Sequence, residues 1–139
     1  MLGTVLMPRT ETPTRTRGVD DETLATVRAA FAPRAVRAWL CARRPEGFVG
    51  VSRNPRACPL AILLRERGIA ARVGRHQILL RDRTGGYSSD RMIDGEDIGP
   101  FLARFVAALD TAHRDEEGAQ AGVCVTAAQA LAVLNGLYL

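Results

Sequence analysis

Few side chains in this sequence could carry out chemistry. Its thiols are Cys41, Cys58 and Cys124, and its imidazoles are His76 and His113. Cys58 stands directly before Pro59 in "NPRACPLAILLRERG", residues 54–68. Proline has no amide to donate and clashes with the carbonyl four residues back, so Pro59 fits only the first turn of a helix. That places Cys58 near the N-cap, with Asn54–Pro55 as a preceding turn. A thiol at a helix N-terminus faces free amides and the positive end of the dipole, which favour thiolate. Arg53 or Arg56 would add to this effect. Cys58 is therefore the one candidate for a catalytic thiol.

The surroundings argue against that role. A cysteine nucleophile usually works with a base. His76 lies beside a predicted hairpin turn and His113 opens a polar linker, and neither falls in a catalytic signature. Leu60, Ile62, Leu63 and Leu64 follow at once. Free cysteine is among the most buried residue types, so the expected role is a small core side chain.

Metal and cofactor chemistry is not indicated. Zinc takes about four Cys or His ligands in close pairs, and the cysteines here are far apart. "DRMIDGEDIG", residues 90–99, holds Asp90, Asp94, Glu96 and Asp97 without the order of a calcium loop. "VGRHQ" and "RTGGYSS" lack the spacing of a phosphate-binding loop. No metal, no cofactor and no catalytic residue are expected.

The charge is distinctive. All 19 basic residues are arginine, against 15 acids, giving a net charge of +4 and a pI near 9.6. Arginine forms two-pronged contacts to phosphate and carboxylate. A GC-rich coding bias is the weightier explanation for the absence of lysine. The candidate nucleic-acid contacts are Arg9, Arg15, Arg17, Arg34, Arg37, Arg53 and Arg56. Aromatics for stacking on bases are scarce, with Trp39, Tyr87 and Tyr138 scattered along the chain.

At 139 residues, 47% apolar and 24% charged, the chain has the makings of one ordinary domain with one core. No apolar run approaches the roughly 20 residues of a membrane helix, and the start does not read as a secretory signal. Three unpaired cysteines point to reduced thiols. The expected setting is cytoplasmic, without a membrane partner.

The elements that must position these residues follow from caps and periodicity. Residues 1–18 read as a flexible basic tail and 19–139 as one globular domain. Asp20 or Asp21 caps a first helix bearing Leu24, Val27 and Phe31 on one face. Pro33 opens a second, with Val36, Trp39 and Leu40 together and Arg43 and Arg44 in its last turn. "GFVGVS", residues 47–52, reads as a short strand, and 58–67 as a helix closed by Gly68. "IAARVG" and "HQILLRDR" form a candidate hairpin turning at Gly74–Arg75. Gly85, Gly86, Ser88 and Ser89 read as a loop, and 113–122 as a polar linker. Pro100 opens a helix with Phe101, Leu102, Phe105, Val106 and Leu109 on one side. Thr126 and Gln129 fit a capping box. The last segment, "VTAAQALAVLNGLYL", begins like a helix-turn-helix, but no reader helix follows in the sequence, so core packing is the expected role.

Five segments, "VGVS" (49–52), "CPLAILLRERG" (58–68), "RVG" (72–74), "RFVAALD" (104–110) and "VTAAQALAVL" (125–134), occur in an order that resembles a group of small uncharacterised bacterial proteins. The resemblance spans roughly residues 46–134. It implies one compact shared fold and brings no activity, ligand or site residue.

The fold expected is α+β: a mainly helical single domain with a small antiparallel hairpin or three-stranded sheet. The expected function is a non-enzymatic binding or regulatory module acting on a protein partner. The alternatives are phosphate-backbone binding to nucleic acid through arginine and a Cys58 thiol enzyme.

Overall fold

The structure is a computed structural model and describes residues 15–113 and 122–137. Five helices and five strands follow in the order α1 (Asp21–Ala30), α2 (Pro33–Cys41), β1 (Phe48–Val51), α3 (Pro59–Glu66), β2 (Ala71–Val73), β3 (Gln77–Arg81), β4 (Tyr87–Asp94), α4 (Pro100–Ala112), β5 (Cys124–Thr126) and α5 (Ala127–Gly136). A 3-10 turn, Gly95–Asp97, joins β4 to α4. The strands form two antiparallel sheets, β1–β5 and β2–β3–β4. The protein is thus a compact α+β domain.

Local signals set the helix ends. Asp20 accepts the Thr23 amide at 2.7 Å and starts α1. Pro33, Pro59 and Pro100 each open a helix at a position that needs no amide donor. At α5 the capping box is complete: Thr126 Oγ1 accepts the Gln129 amide at 3.1 Å, and Gln129 Oε1 accepts the Thr126 amide at 2.9 Å. Gly68, at φ 85°, supplies the left-handed residue that ends α3. One boundary departs from the reading. α2 stops at Cys41, with Ala42 as its C-cap. Arg43 and Arg44 therefore lie beyond the helix instead of in its last turn, which frees Arg43 to reach α3.

The apolar faces meet in one core. Val27, Phe31, Val36, Leu40, Leu60, Leu63, Leu64, Phe101, Leu102, Phe105, Leu109 and Leu134 are all buried. Phe101 and Phe105 stack with ring centroids 5.4 Å apart. The three-stranded sheet presents Ala71, Val73, Ile78, Leu80 and Ile93 to this core. Register places Arg72 opposite Leu79, and Leu79 opposite Met92. Strand alternation sends these three to the other face.

Two strands were not anticipated. β4 occupies residues 87–94, which the sequence presented as loop. Its first half is polar because both faces there look to solvent, and only Met92 and Ile93 are buried. β5 is three residues long and pairs with β1, with Phe48 opposite Thr126 and Val51 opposite Cys124. The strand at 48–51 therefore does not join the hairpin.

Residues 15–18 differ from the loosely attached segment expected of the basic tail. Arg17 exchanges backbone hydrogen bonds with Met92, at 2.8 and 3.0 Å, and so lines the free edge of β4. Thr16 accepts the Asp94 amide at 2.8 Å and donates to Asp97. At Gly18, φ 67°, a Cβ would meet the Asp90 carbonyl at 2.0 Å, so the close approach needs glycine. Residues 1–14 lie outside the described residues.

Candidate functional site

Three regions gather side chains with chemical potential. The first surrounds Cys58. The thiol is at the N-cap of α3, as the position of Pro59 required, and is only 5% exposed. It lines a hollow of about 270 Å³ with Arg53, Asn54, Arg75 and Asp110. Desolvation by burial raises its pKa from 9.0 to about 11, against smaller opposing hydrogen bonds from the Ala61 and Leu60 amides. Burial thus outweighs the helix terminus, and the group is a neutral thiol at pH 7.

Arg53 has φ 59°, the left-handed region that a side chain enters only at some cost. Its conformation aims its amide at Asp110 Oδ1, 2.8 Å away. Its Nε donates to the Asp110 carbonyl at 3.3 Å. A second hollow of about 370 Å³ adjoins through Arg75 and is lined by His76, Asp94 and Glu96. His76 lines this second hollow and is not among the residues lining the Cys58 hollow. Asp94 titrates below the usual carboxylate range, chiefly because its side chain accepts the Glu96 amide. Among the described residues no three His, Cys, Asp or Glu side chains converge as a metal site would require.

The second region is a groove between α2 and α5. Leu40, Cys41, Pro45, Ala128, Leu131 and Ala132 line a largely apolar hollow of about 430 Å³. α5 starts beside β1 because the Ala127 and Ala128 amides donate to the carbonyls of Gly47 and Pro45, each at 2.9 Å. This places Phe48, paired with Thr126, beside the start of α5. Phe48 is 57% exposed, the one exposed large hydrophobic side chain among the described residues. Arg37 donates to Asn135, tying its guanidinium to the groove wall. Arg34 is exposed one turn earlier on α2.

On the α3 side of α2, Trp39 Nε1 donates to Glu66 Oε1 at 2.9 Å. Arg43 forms an ion pair with the same carboxylate, and its guanidinium carbon sits 4.6 Å from the centre of the Trp39 ring. This group joins α2 to α3. Glu66→Ala would remove the acceptor of both donors, and Arg43 Nε is already buried without a partner. The expected loss is about 1 kcal/mol, because the pair is partly exposed, read as a lowered urea midpoint with an unchanged slope.

The third region is the outer face of the three-stranded sheet. Arg56 lies with its guanidinium carbon 5.3 Å from the centre of the Tyr87 ring. Arg72 occupies the outward position of β2, and Arg17 stands beside Met92.

The arginines proposed from sequence are thus divided. Arg37 bonds Asn135 of the α2–α5 groove, with Arg34 exposed one turn before it on α2. Arg53 is held at the Cys58 hollow, and Arg56 and Arg17 lie at the three-stranded sheet. Arg15 holds Asp94 through its backbone amide at 3.2 Å, and Arg9 lies outside the described residues. Sequence reasoning missed Tyr87 and Arg72, because the strand containing Tyr87 was not recognised. It missed the groove because nothing in one helix announces its neighbour. No family model, curated protein or solved structure matches the chain. No helix among the described residues is long and apolar enough to cross a membrane.

Proposed function

We propose that the protein is a binding module, without catalysis of its own, that receives an amphipathic helix of a partner protein in the groove between α2 and α5. The observation that carries this reading is an apolar groove walled by two packed helices, with the exposed Phe48 paired to Thr126 at the start of one of them. An exposed large aromatic beside a concave apolar surface is the usual form of a helix-in-groove site.

Charge defines the occupant further. Arg43 and Arg44 near the groove are paired with Glu66 and Glu46. Arg34 has no acidic partner within 4 Å among the described residues, and Arg37 bonds only the neutral Asn135. The rim therefore carries surplus positive charge. The fitting partner is a helix with an apolar stripe flanked by Asp or Glu, in which the acids set orientation and the apolar side chains supply affinity.

The test is selection of a displayed library of helical peptides on the native protein. Recovered binders should carry apolar residues three and four apart with adjacent acids. Ala132→Arg should abolish their binding, and Arg34→Glu with Arg37→Glu should weaken it about tenfold or more. Binders indifferent to Ala132→Arg, or a selection yielding none, would remove this reading.

A further inference from the structure

The outer face of the β2–β3–β4 sheet suggests a second binding activity, separate from the groove. We infer that this face binds single-stranded nucleic acid, with the Arg56–Tyr87 pair as a platform for a base and Arg72 and Arg17 as contacts for flanking phosphates.

The geometry begins with Tyr87. It is at the start of β4, opposite Arg81 of β3. Pro55, one residue before Arg56, accepts the Val73 amide at 2.8 Å, so Arg56 comes from the far edge of the same sheet, beside β2. The Arg56 guanidinium carbon lies 5.3 Å from the Tyr87 ring centre, which joins the β2 side of the sheet to the start of β4. The two side chains form a cation-aromatic pair within reach of solvent. Tyr87 is half-buried and Arg56 exposed. Arg72 projects from β2 on this side, because its neighbours Ala71 and Val73 are buried on the other. Arg17 pairs with Met92 at the opposite edge and shares its face.

The charge is not neutralised locally. Among the described residues, neither Arg17, Arg56 nor Arg72 has a carboxylate within 4 Å. Of the acids on this sheet, Asp90 is exposed on β4 between Tyr87 and Met92, and the others are engaged or set apart. Asp82 accepts the amides of Thr84 and Gly86, each at 2.9 Å. Asp94 closes the opposite end of the face, opposite Gln77. A sheet face with an aromatic stacking surface and cations spaced around it is the physical form used to hold unpaired bases. A duplex has no free base to stack, so single strands are the class favoured. Polyanions without bases would use the arginines alone.

Fluorescence anisotropy with labelled single strands of about 20 nucleotides, DNA and RNA, in about 50 mM salt tests the inference. Binding should appear and weaken steeply as salt rises. Tyr87→Leu, which keeps apolar cover over the sheet, should reduce affinity about tenfold, while Tyr87→Phe should retain it. Arg72→Gln should weaken binding severalfold and lower the salt slope by about one. Arg34→Glu with Arg37→Glu, on the groove, should leave the contribution of Tyr87 unchanged. Absence of a complex at low salt would overturn the inference. So would equal competition by polyphosphate with no effect of Tyr87→Leu, or a loss that follows only Arg34 and Arg37. Thermal melts of each variant separate lost binding from lost folding, and none of these results depends on the peptide groove.

Discussion

Gly50→Ala should destabilise the domain by about 3 kcal/mol, seen as a lower urea midpoint with an unchanged slope. Gly50 lies in β1 between Val49 and Val51, where a strand would ordinarily carry a side chain. A Cβ there would meet Pro59 N at 2.6 Å, the Ala57 carbonyl at 2.7 Å and Cys58 C at 2.8 Å. All three are backbone atoms, so no side chain can rotate away. The start of α3 would have to lift from β1, and the Val51 amide would lose its 2.8 Å bond to the Ala57 carbonyl. Gly68→Ala makes the control, since nothing lies within 4 Å of its Cβ. Its cost should be the smaller conformational one of about 1 kcal/mol for a left-handed residue. Equal effects at the two glycines would refute the close-approach account.

Alkaline pH should weaken the fold through Cys58. The folded thiol has a pKa of about 11 against 9.0 for the free group, because burial disfavours the thiolate. Between these values the folded state holds a proton that the unfolded state has released. Stability is therefore intact below pH 9 and falls as pH rises toward 11. Two pKa units correspond to about 3 kcal/mol. Cys58→Ala should lose about 1 kcal/mol at pH 7 from the space it leaves, yet show a flatter stability profile from pH 9 to 11. Parallel profiles for the two proteins would show that the thiol is not protected. The same comparison bears on reactivity, since a sulfur protonated at pH 7 should react slowly with disulfide reagents until the protein unfolds.

Much of the helical framework could be read in advance because its signals are local. A proline at each of three helix starts, the Asp20 cap and the Thr126–Gln129 box act within one turn of themselves. The apolar runs at 60–64 and 101–109 identify their own buried sides. The strands were harder for a physical reason. β5 is defined only by its bonds to β1, far away in sequence, and its three residues have no periodicity to detect. β4 has a polar first half because both of its faces look to solvent there. The surface suffered most from this. Tyr87 appeared as an isolated aromatic in a glycine-serine stretch, and only folding places Arg56 against it. Arg34, Arg37, Arg53 and Arg56 looked alike as arginines, yet their neighbours assign them to three different regions.

The pairing of β1 with β5 has a consequence for synthesis. As the chain leaves the ribosome, Phe48, Val49 and Val51 emerge long before Cys124, Val125 and Thr126 exist to receive them. Loop closure over such a separation is slow relative to helix formation. Until it happens, α2 lacks the cover of α5, and an apolar strand edge stands open to whatever chaperone or neighbouring nascent chain meets it first.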